Sequence, residues 1–357
     1  MKLLDWYIAK KYLSTFVFAI AILAAISCVI DYSEKVEEFV ARKAPIEAIT
    51  WYYINFIPYI VNFLFPLFVF IATIFFTSKL AGRSEIIAIL ATGTDYRRFL
   101  KPYVVVGSGL VFISLLANHF VVPYANHNRL AFEKKYYKNV VAYSDHNVHL
   151  KISATEYIYL ENYDFVSNMG YRFSYEKIDG ITLKEKLMAD RISYDSLKKE
   201  WVLYNVTHRY NDGLNERLNM QAELRTHYAF TLKDLVQDLD SKDAMTTPRL
   251  WSYIQQEKLR GRETLNALYI ELHRRTATPF ACFILTIMGV CIASTKKRGG
   301  GGVHLALGIL LSAVFFMINQ FSSILSTKAG FSPFLATWIP NLIFSCIAYY
   351  LYKKQIK

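Results

Sequence analysis

Charge is missing from this chain where its hydrophobic runs are longest. Six stretches carry no Asp, Glu, Lys or Arg: Tyr12 to Ile30, Trp51 to Ser78, Pro102 to Asn128, Thr276 to Thr295, Gly299 to Thr327 and Ala329 to Tyr352. A helix on a soluble core keeps a charged face, and these have none. Each supplies the ~20 residues that a helix needs to cross roughly 30 Å of hydrocarbon, so they read as membrane spans. The same absence excludes an ion-coupled carrier, which holds an ionisable side chain inside the bilayer. Asn55, Asn62, Asn118, Asn319 and Asn341 are polar but do not titrate, and His119, near an outer end, is a titratable exception.

Other absences exclude whole classes of chemistry. No GxxxxGK[ST] loop is present, so the chain does not hold nucleotide in that way. The Gly299–Gly302 run follows lysines instead of preceding one, and reads as a close-packing start to the fifth span that Gly308 and Ser312 continue. The four cysteines, Cys28, Cys282, Cys291 and Cys346, all fall within the apolar runs and read as buried free thiols rather than a disulfide framework. His146 and His149 have no clustered cysteine or carboxylate to complete a metal site and read as solvated loop residues. No nucleophile and base stand at useful spacing, which argues against an enzyme, and no cofactor is expected.

What charge there is has a pattern. The formal net charge is +12, yet the basic residues cluster at every second connection rather than on a nucleic-acid face. Lys2, Lys10 and Lys11 precede the first span, and Lys79, Arg83, Arg97, Arg98 and Lys101 lie between the second and third. Lys296, Lys297 and Arg298 separate the fourth and fifth, and Lys353, Lys354 and Lys357 follow the sixth. Such segments face the cytoplasm, so both termini are expected inside and residues 129–275 outside.

That long outer segment reads as strands. Glu156–Leu160, Met169–Tyr175 and Trp201–Thr207 alternate or are rich in β-branched and aromatic residues, with turn signals at Asp179-Gly180 and Asn211-Asp212-Gly213. Short strands at regular spacing suggest a β-sandwich or jelly-roll. Thr247-Pro248 then opens an amphipathic helix to about Arg260, and a second, Glu263 to Arg275, leads into the fourth span. The expected fold is an α-helical membrane protein with about six transmembrane helices and an inserted periplasmic β-jelly-roll domain. Residues 1–128 would hold three spans, 129–275 the β-domain with its trailing helices, and 276–357 the remaining spans.

The segment 79–101, between the second and third spans, is compact and charged. Arg83–Leu90 is helical by composition, ends near Gly93, and is followed by a Thr94 cap before Asp95. Ile86, Ile87, Ile89 and Leu90 give it an apolar side, with Arg83 and Glu85 polar. Such a helix either lies flat on the bilayer or docks on a cytoplasmic motor, and the acid set among apolar residues favours docking.

These features together resemble the LptF/LptG family of permeases, which export lipopolysaccharide from the inner membrane. The likeness runs along the whole chain: Leu4-Asp5-Trp6-Tyr7-Ile8, Arg83-Ser84-Glu85 with Ala91-Thr92-Gly93, Glu271-Leu272-His273-Arg274-Arg275, and Arg298-Gly299-Gly300. Its opening is closer to the LptG type. The resemblance implies an LptB-like cytoplasmic ATPase dimer as motor and a second, LptF-like permease or homologous copy as partner. Glu85 would enter the ATPase groove, with Arg83, Ile86, Ile89, Arg97 and Arg98 around it. The first and fifth spans would form a lateral gate, and the β-domain would pass lipid to an LptC/LptA-like periplasmic β-domain. Where some relatives carry lysine at the outer end of the first span, this chain has Asp31. Lys35 and Arg42, or Arg129, Lys134, Lys135 and Lys138 beyond the third span, are then the candidate contacts to lipid phosphate. The competing reading is a membrane scaffold whose β-domain binds another protein without transport. Membrane lipids and lipopolysaccharide are expected partners on the first reading, and nucleic acid on neither.

Overall fold

The computed structural model describes residues 3–137, 148–164, 167–196, 198–212, 215–235, 239–260, 265–295 and 300–356. Lys2, Lys138, His146, Gly213, Glu263, Lys296–Gly299 and Lys357 lie outside them. Helices α1 (Leu3–Ala41), α2 (Ile46–Gly82), α3 (Glu85–Ala91) and α4 (Tyr96–Tyr136) precede six strands. Helices α5 (Thr247–Arg260), α6 (Leu265–Ala293), α7 (Gly300–Ala329) and α8 (Pro333–Ile356) follow. Six of them, α1, α2, α4, α6, α7 and α8, are long and apolar enough to cross a membrane.

Helix is what an apolar run must adopt in hydrocarbon, because only there are its backbone groups paired within the segment. At 1.5 Å per residue, the 39 residues of α1 reach well beyond the bilayer core. Its charged last turns, including Asp31 and Lys35, therefore belong to the same helix as its apolar start. In α4 the helix widens to a π-turn over Ala117–Val121, just before Pro123. Proline clashes with the carbonyl four residues back, and the wider turn relieves that clash.

Water does not press these helices together, so small residues and side-chain hydrogen bonds have to. Gly308 of α7 lies directly on Ile74 of α2, and the buried Ser312 hydroxyl donates to the Gly308 carbonyl at 2.8 Å. Asn62 of α2 and Asn118 of α4 exchange amide bonds of 3.0 and 2.9 Å. Tyr12 of α1 sits 2.9 Å from Thr73 and 3.3 Å from Thr286, joining three helices at one hydroxyl. Cys282 and Cys291 are buried, Cys28 half-buried, and Cys346 lies on the outside of the helices.

Strands β1 (Val148–Lys151), β2 (Glu156–Asp164), β3 (Met169–Asp179), β4 (Thr182–Asp195), β5 (Glu200–Asp212) and β6 (Asn215–Thr226) form one antiparallel sheet in sequential order. The expected β-insertion is thus present, and its six strands follow one another in sequence across the sheet. Short turns such as Asp179-Gly180, with Gly180 at φ +61°, join neighbours directly and leave no length for a crossover. The sheet buries one face, including Leu150, Ile158, Phe173, Leu187 and Leu203, beneath Phe230 and Leu235. Trp201 donates its indole N–H to the Phe230 carbonyl at 3.1 Å and stacks on its ring at 4.5 Å. Arg172 and Asn205 adopt left-handed φ of 52° and 53° inside their strands. Both fall in one row across the sheet where the pairing skips a residue on either side. That row acts as a line of bends.

The chain divides into two compact units, one of residues 1–137, 242–250 and 266–357 and one of 138–241 and 251–265. Placing a side chain at Gly308 should separate α7 from α2, since Ile74 is fully buried. We expect Gly308→Leu to cost about 1–3 kcal/mol in thermal unfolding of the detergent-solubilised protein, with partial recovery when Ile74→Ala is added.

Candidate functional site

Two clusters at opposite ends of α1 gather most of the candidate residues. At the first, α2 ends at Gly82 and the chain turns through Ser84, which holds a left-handed φ of 59°. Helix α3 begins at Glu85, two residues later than the composition suggests, and closes before Gly93 at φ +79°. The cap of α4 is Asp95 rather than Thr94: its carboxylate accepts the backbone N–H of Arg97 at 3.3 Å.

The apolar side of α3 serves its own bundle. Ile86 is 1% exposed, and Ile89 and Leu90 pack on the same core as Leu80 and Phe99. Ile87 remains outside at 54% exposed, beside Arg83 and Glu85, whose charges lie 3.8 Å apart. Arg97 is exposed, while Arg98 reaches back to the buried carboxylate of Asp5 at 2.7 Å. Nearby, Tyr96 meets Ser294 at 3.2 Å and Gln355 donates to the Cys291 carbonyl at 2.9 Å. The start of α4, just beyond α3, is thereby tied to the start of α1 and the end of α6, and α6 in turn to the end of α8.

At the other end of α1, Lys35 is 7% exposed and its ammonium meets Asp31 at 2.6 Å, Tyr52 at 2.6 Å and Glu133 at 3.1 Å. Arg129 adds a 2.7 Å bond to Glu133 and stacks 4.2 Å from the Tyr59 ring. Two cations and two carboxylates are thus balanced in an aromatic setting of Phe39, Tyr52, Phe56 and Phe132. The guanidinium of Arg42 approaches Glu38 at 3.5 Å on the surface. Lys134 and Lys135 point outward, with Lys135 lying 4.9 Å from the Tyr136 ring. The structure therefore brings Lys35 and Arg129 together on acids, while Lys134 and Lys135 are exposed.

A third charged group stands at the start of the apolar part of α6. Arg275, 2% exposed, spends its guanidinium on Glu271, the Thr247 hydroxyl and the Lys242 carbonyl, each at 3.1 Å. Arg274 pairs with the other Glu271 oxygen, and Asp243 lies 3.7 Å from it. His119 joins through Thr247 at 2.9 Å. Burial and the neighbouring Glu271 carboxylate push Asp243 up to about 6, against a partial lowering by Arg274. Among the described residues no group of His, Cys, Asp and Glu could hold a metal ion.

The family model for the lipopolysaccharide export system permease LptF/LptG matches residues 6–354. The chain belongs to the LptF/LptG family. The lipopolysaccharide export system permease protein LptG of Escherichia coli K12 is 19% identical over 358 residues, covering 99% of this chain and 98% of that protein. The LptG of Escherichia coli O6:H1 gives the same figures. With its six apolar helices, this permease is a multi-pass protein of the inner membrane.

Sequence reasoning alone missed the permease residues that complete these clusters: Asp5, Tyr52, Glu133 and Asp243. Each has a partner remote in the chain: Arg98 for Asp5, Lys35 for Tyr52 and Glu133, and Arg274 for Asp243. Asp5 carried a visible signal, a carboxylate in the first turn of a helix, but nothing local pointed to Arg98.

Two outcomes follow from these charges. Removing the ammonium in Lys35→Met leaves two buried carboxylates against one cation, and should lower stability by about 3–5 kcal/mol. Adding Asp31→Asn restores neutrality and should recover most of it in thermal unfolding. A free phosphate-binding lysine would show no such coupling. For Asp243, a raised carboxyl value means that ionisation in the folded state is unfavourable. Its stability contribution is intact below the ordinary value of 3.8 and lost as pH rises through about 6. Asp243→Asn should therefore raise the unfolding midpoint at pH 8 and leave it unchanged near pH 3.

Proposed function

We propose that this permease is the LptG-like membrane subunit of an ABC-type exporter, energised by a separate cytoplasmic ATPase dimer acting on α3. In this reading both termini and α3 face the cytoplasm, and the β-domain faces the periplasm. A second LptF-like permease, or a homologous copy, completes the lipid path. The subunit itself carries out no catalysis.

The observation that carries the reading is the two-sided construction of α3. Its apolar residues lock it to the bundle, while the exposed Arg83 and Ile87 and the half-buried Glu85 form a small mixed surface. A helix resting on lipid would keep its isoleucines for the bilayer. Here Ile86 is keyed inward, which makes α3 a rigid lever rather than a float. Force applied at Glu85 would reach α1 through Arg98–Asp5 and α6 through Tyr96–Ser294, so the motor's closure would displace the span implied as a gate. The fixed backbone turns at Ser84 and Gly93 keep the lever short and stiff.

Lys135 is the cation best placed for lipid phosphate, because Lys35 and Arg129 are already neutralised. At one edge of the sheet, β6 is paired among the described residues only with β5, and nearly all its side chains are exposed. An edge of this kind accepts another strand, which supports docking of an LptC/LptA-like β-domain.

The test is copurification of the full-length chain with a cytoplasmic ATPase, followed by lipopolysaccharide-stimulated ATP hydrolysis in nanodiscs. Glu85→Ala should fold normally yet reduce that stimulation by about tenfold, the effect of one interface hot spot. A scaffold without transport would copurify with no ATPase and tolerate Glu85→Ala.

A further inference from the structure

Helix α4 runs close against α6 at Gly107, where a Cβ would lie 3.5 Å from Thr286 and 3.7 Å from Phe283. At the end of the spans that carries α3, the two are tied again by Tyr96 and Ser294 at 3.2 Å. Between these contacts a groove of about 450 Å³ opens. Leu100 and Val104 of α4 form one wall, Phe283 and Ile287 of α6 the floor, and Ala348 and Tyr352 of α8 the other wall. The floor belongs to the most buried of the six apolar helices, so the mouth faces away from the bundle. Tyr349, 59% exposed, stands at that mouth. In a membrane, an apolar groove open on this side is filled by lipid.

The rim of the groove carries charge of one sign. Arg97 lines it, is exposed, and among the described residues its guanidinium has no ion-pair or hydrogen-bond partner. Its neighbour Arg98 turns the other way, to Asp5 at 2.7 Å. Arg97, Leu100, Lys101 and Val104 share one face of α4, since residues three and four apart are neighbours on a helix. Across the groove the Lys353 ammonium lies 5.0 Å from the ring of Tyr349. No carboxylate is among the described residues that line it. The nearest acid along the chain, Asp95, is engaged by the Arg97 backbone N–H at 3.3 Å, as the cap of α4. Cations above an apolar track match an anionic head on an acyl tail. Tyr349 and Tyr352 suit the level where hydrocarbon meets water.

We propose that this groove holds one tail of an anionic phospholipid drawn from the surrounding bilayer, with its phosphate on Arg97 and Lys353. At about 30 Å³ for each methylene-sized group, the volume suits a single acyl chain. Assigning that lipid to the cytoplasmic leaflet rests on the orientation proposed above, whereas the binding itself does not. The assignment moves Arg97 from the motor surface, where the family resemblance put it, to the lipid-facing side of α4. Seated between α4 and α8, the lipid braces the start of α4, and with it the base of the α3 lever.

The test uses the full-length chain in nanodiscs with a phosphatidylglycerol bearing a photoreactive diazirine within one tail, followed by peptide mapping. A phosphatidylcholine with the same tail is the comparison. Labelling by the phosphatidylglycerol should concentrate on residues 100–104, 283–287 and 345–352, and exceed that by the phosphatidylcholine. Arg97→Gln and Lys353→Gln, both surface changes, should each lower it there about fivefold, the effect of one cation near a membrane surface. Neither should alter labelling by the phosphatidylcholine. Val104→Trp, which fills the groove, should lower labelling by both probes. Labelling spread evenly over all six spans, equal for the two heads, or indifferent to Arg97→Gln would overturn the proposal. So would displacement of the probe by purified lipopolysaccharide, which would assign the groove to the exported lipid. Displacement by the ATPase dimer would also overturn it and return Arg97 to the motor surface. The labelling itself needs neither ATP nor transport, so its failure is distinguishable from failure of the export reading.

Discussion

A polar group buried away from water must be answered by the protein itself, and this constraint organises the permease. It explains why Lys35 and Arg129 are closed on Asp31 and Glu133, and why Arg275 has an acceptor for every guanidinium nitrogen. It also explains why asparagines meet in pairs across α2 and α4. Such pairings contribute less to net stability than to uniqueness, because each allows one helix register and penalises its neighbours. The spans are greasy enough to slide, and the polar ties fix where they stop.

The same economy of polar contacts defines how a push at one end could spread. Around α3 the ties are few and specific: Asp5 to Arg98, Tyr96 to Ser294, Gln355 to the Cys291 carbonyl. The first two join the start of α4, just beyond α3, to α1 and α6, and the third joins α6 to α8, so a displacement of α3 is shared rather than absorbed. At the opposite end of α1 the four-charge cluster resists local bending, because separating any member exposes a charge. A helix held firmly at both ends moves as a body. That suits a span whose proposed task is to open a path for lipid without unravelling.

Much of this was legible in the sequence, and what was not had a physical reason. The six spans announce themselves because hydrocarbon tolerates no charge along their middle. Their true ends were hidden, since α1 continues past Ile30 to Ala41 on charges whose partner, Glu133, is remote in the chain. Strands β2, β3 and β5 alternate visibly, whereas β6, exposed on both faces, has no reason to alternate. Strand order could not be read because it is set by turns and register, not by composition. For α3 the sequence displayed an apolar side but not its destination. The bundle itself takes Ile86, Ile89 and Leu90, and only Ile87 of the four isoleucine and leucine positions remains outside.

The central claim is that α3 is an inside-facing lever gripped by a motor. Its most direct test is Ile87→Cys in a chain with the four native cysteines replaced, labelled by a membrane-impermeant maleimide in sealed vesicles of known orientation. The account predicts reaction only from the cytoplasmic side and strong protection once the ATPase dimer is bound. Reaction from the periplasmic side, or equal reaction with and without the ATPase, would contradict it.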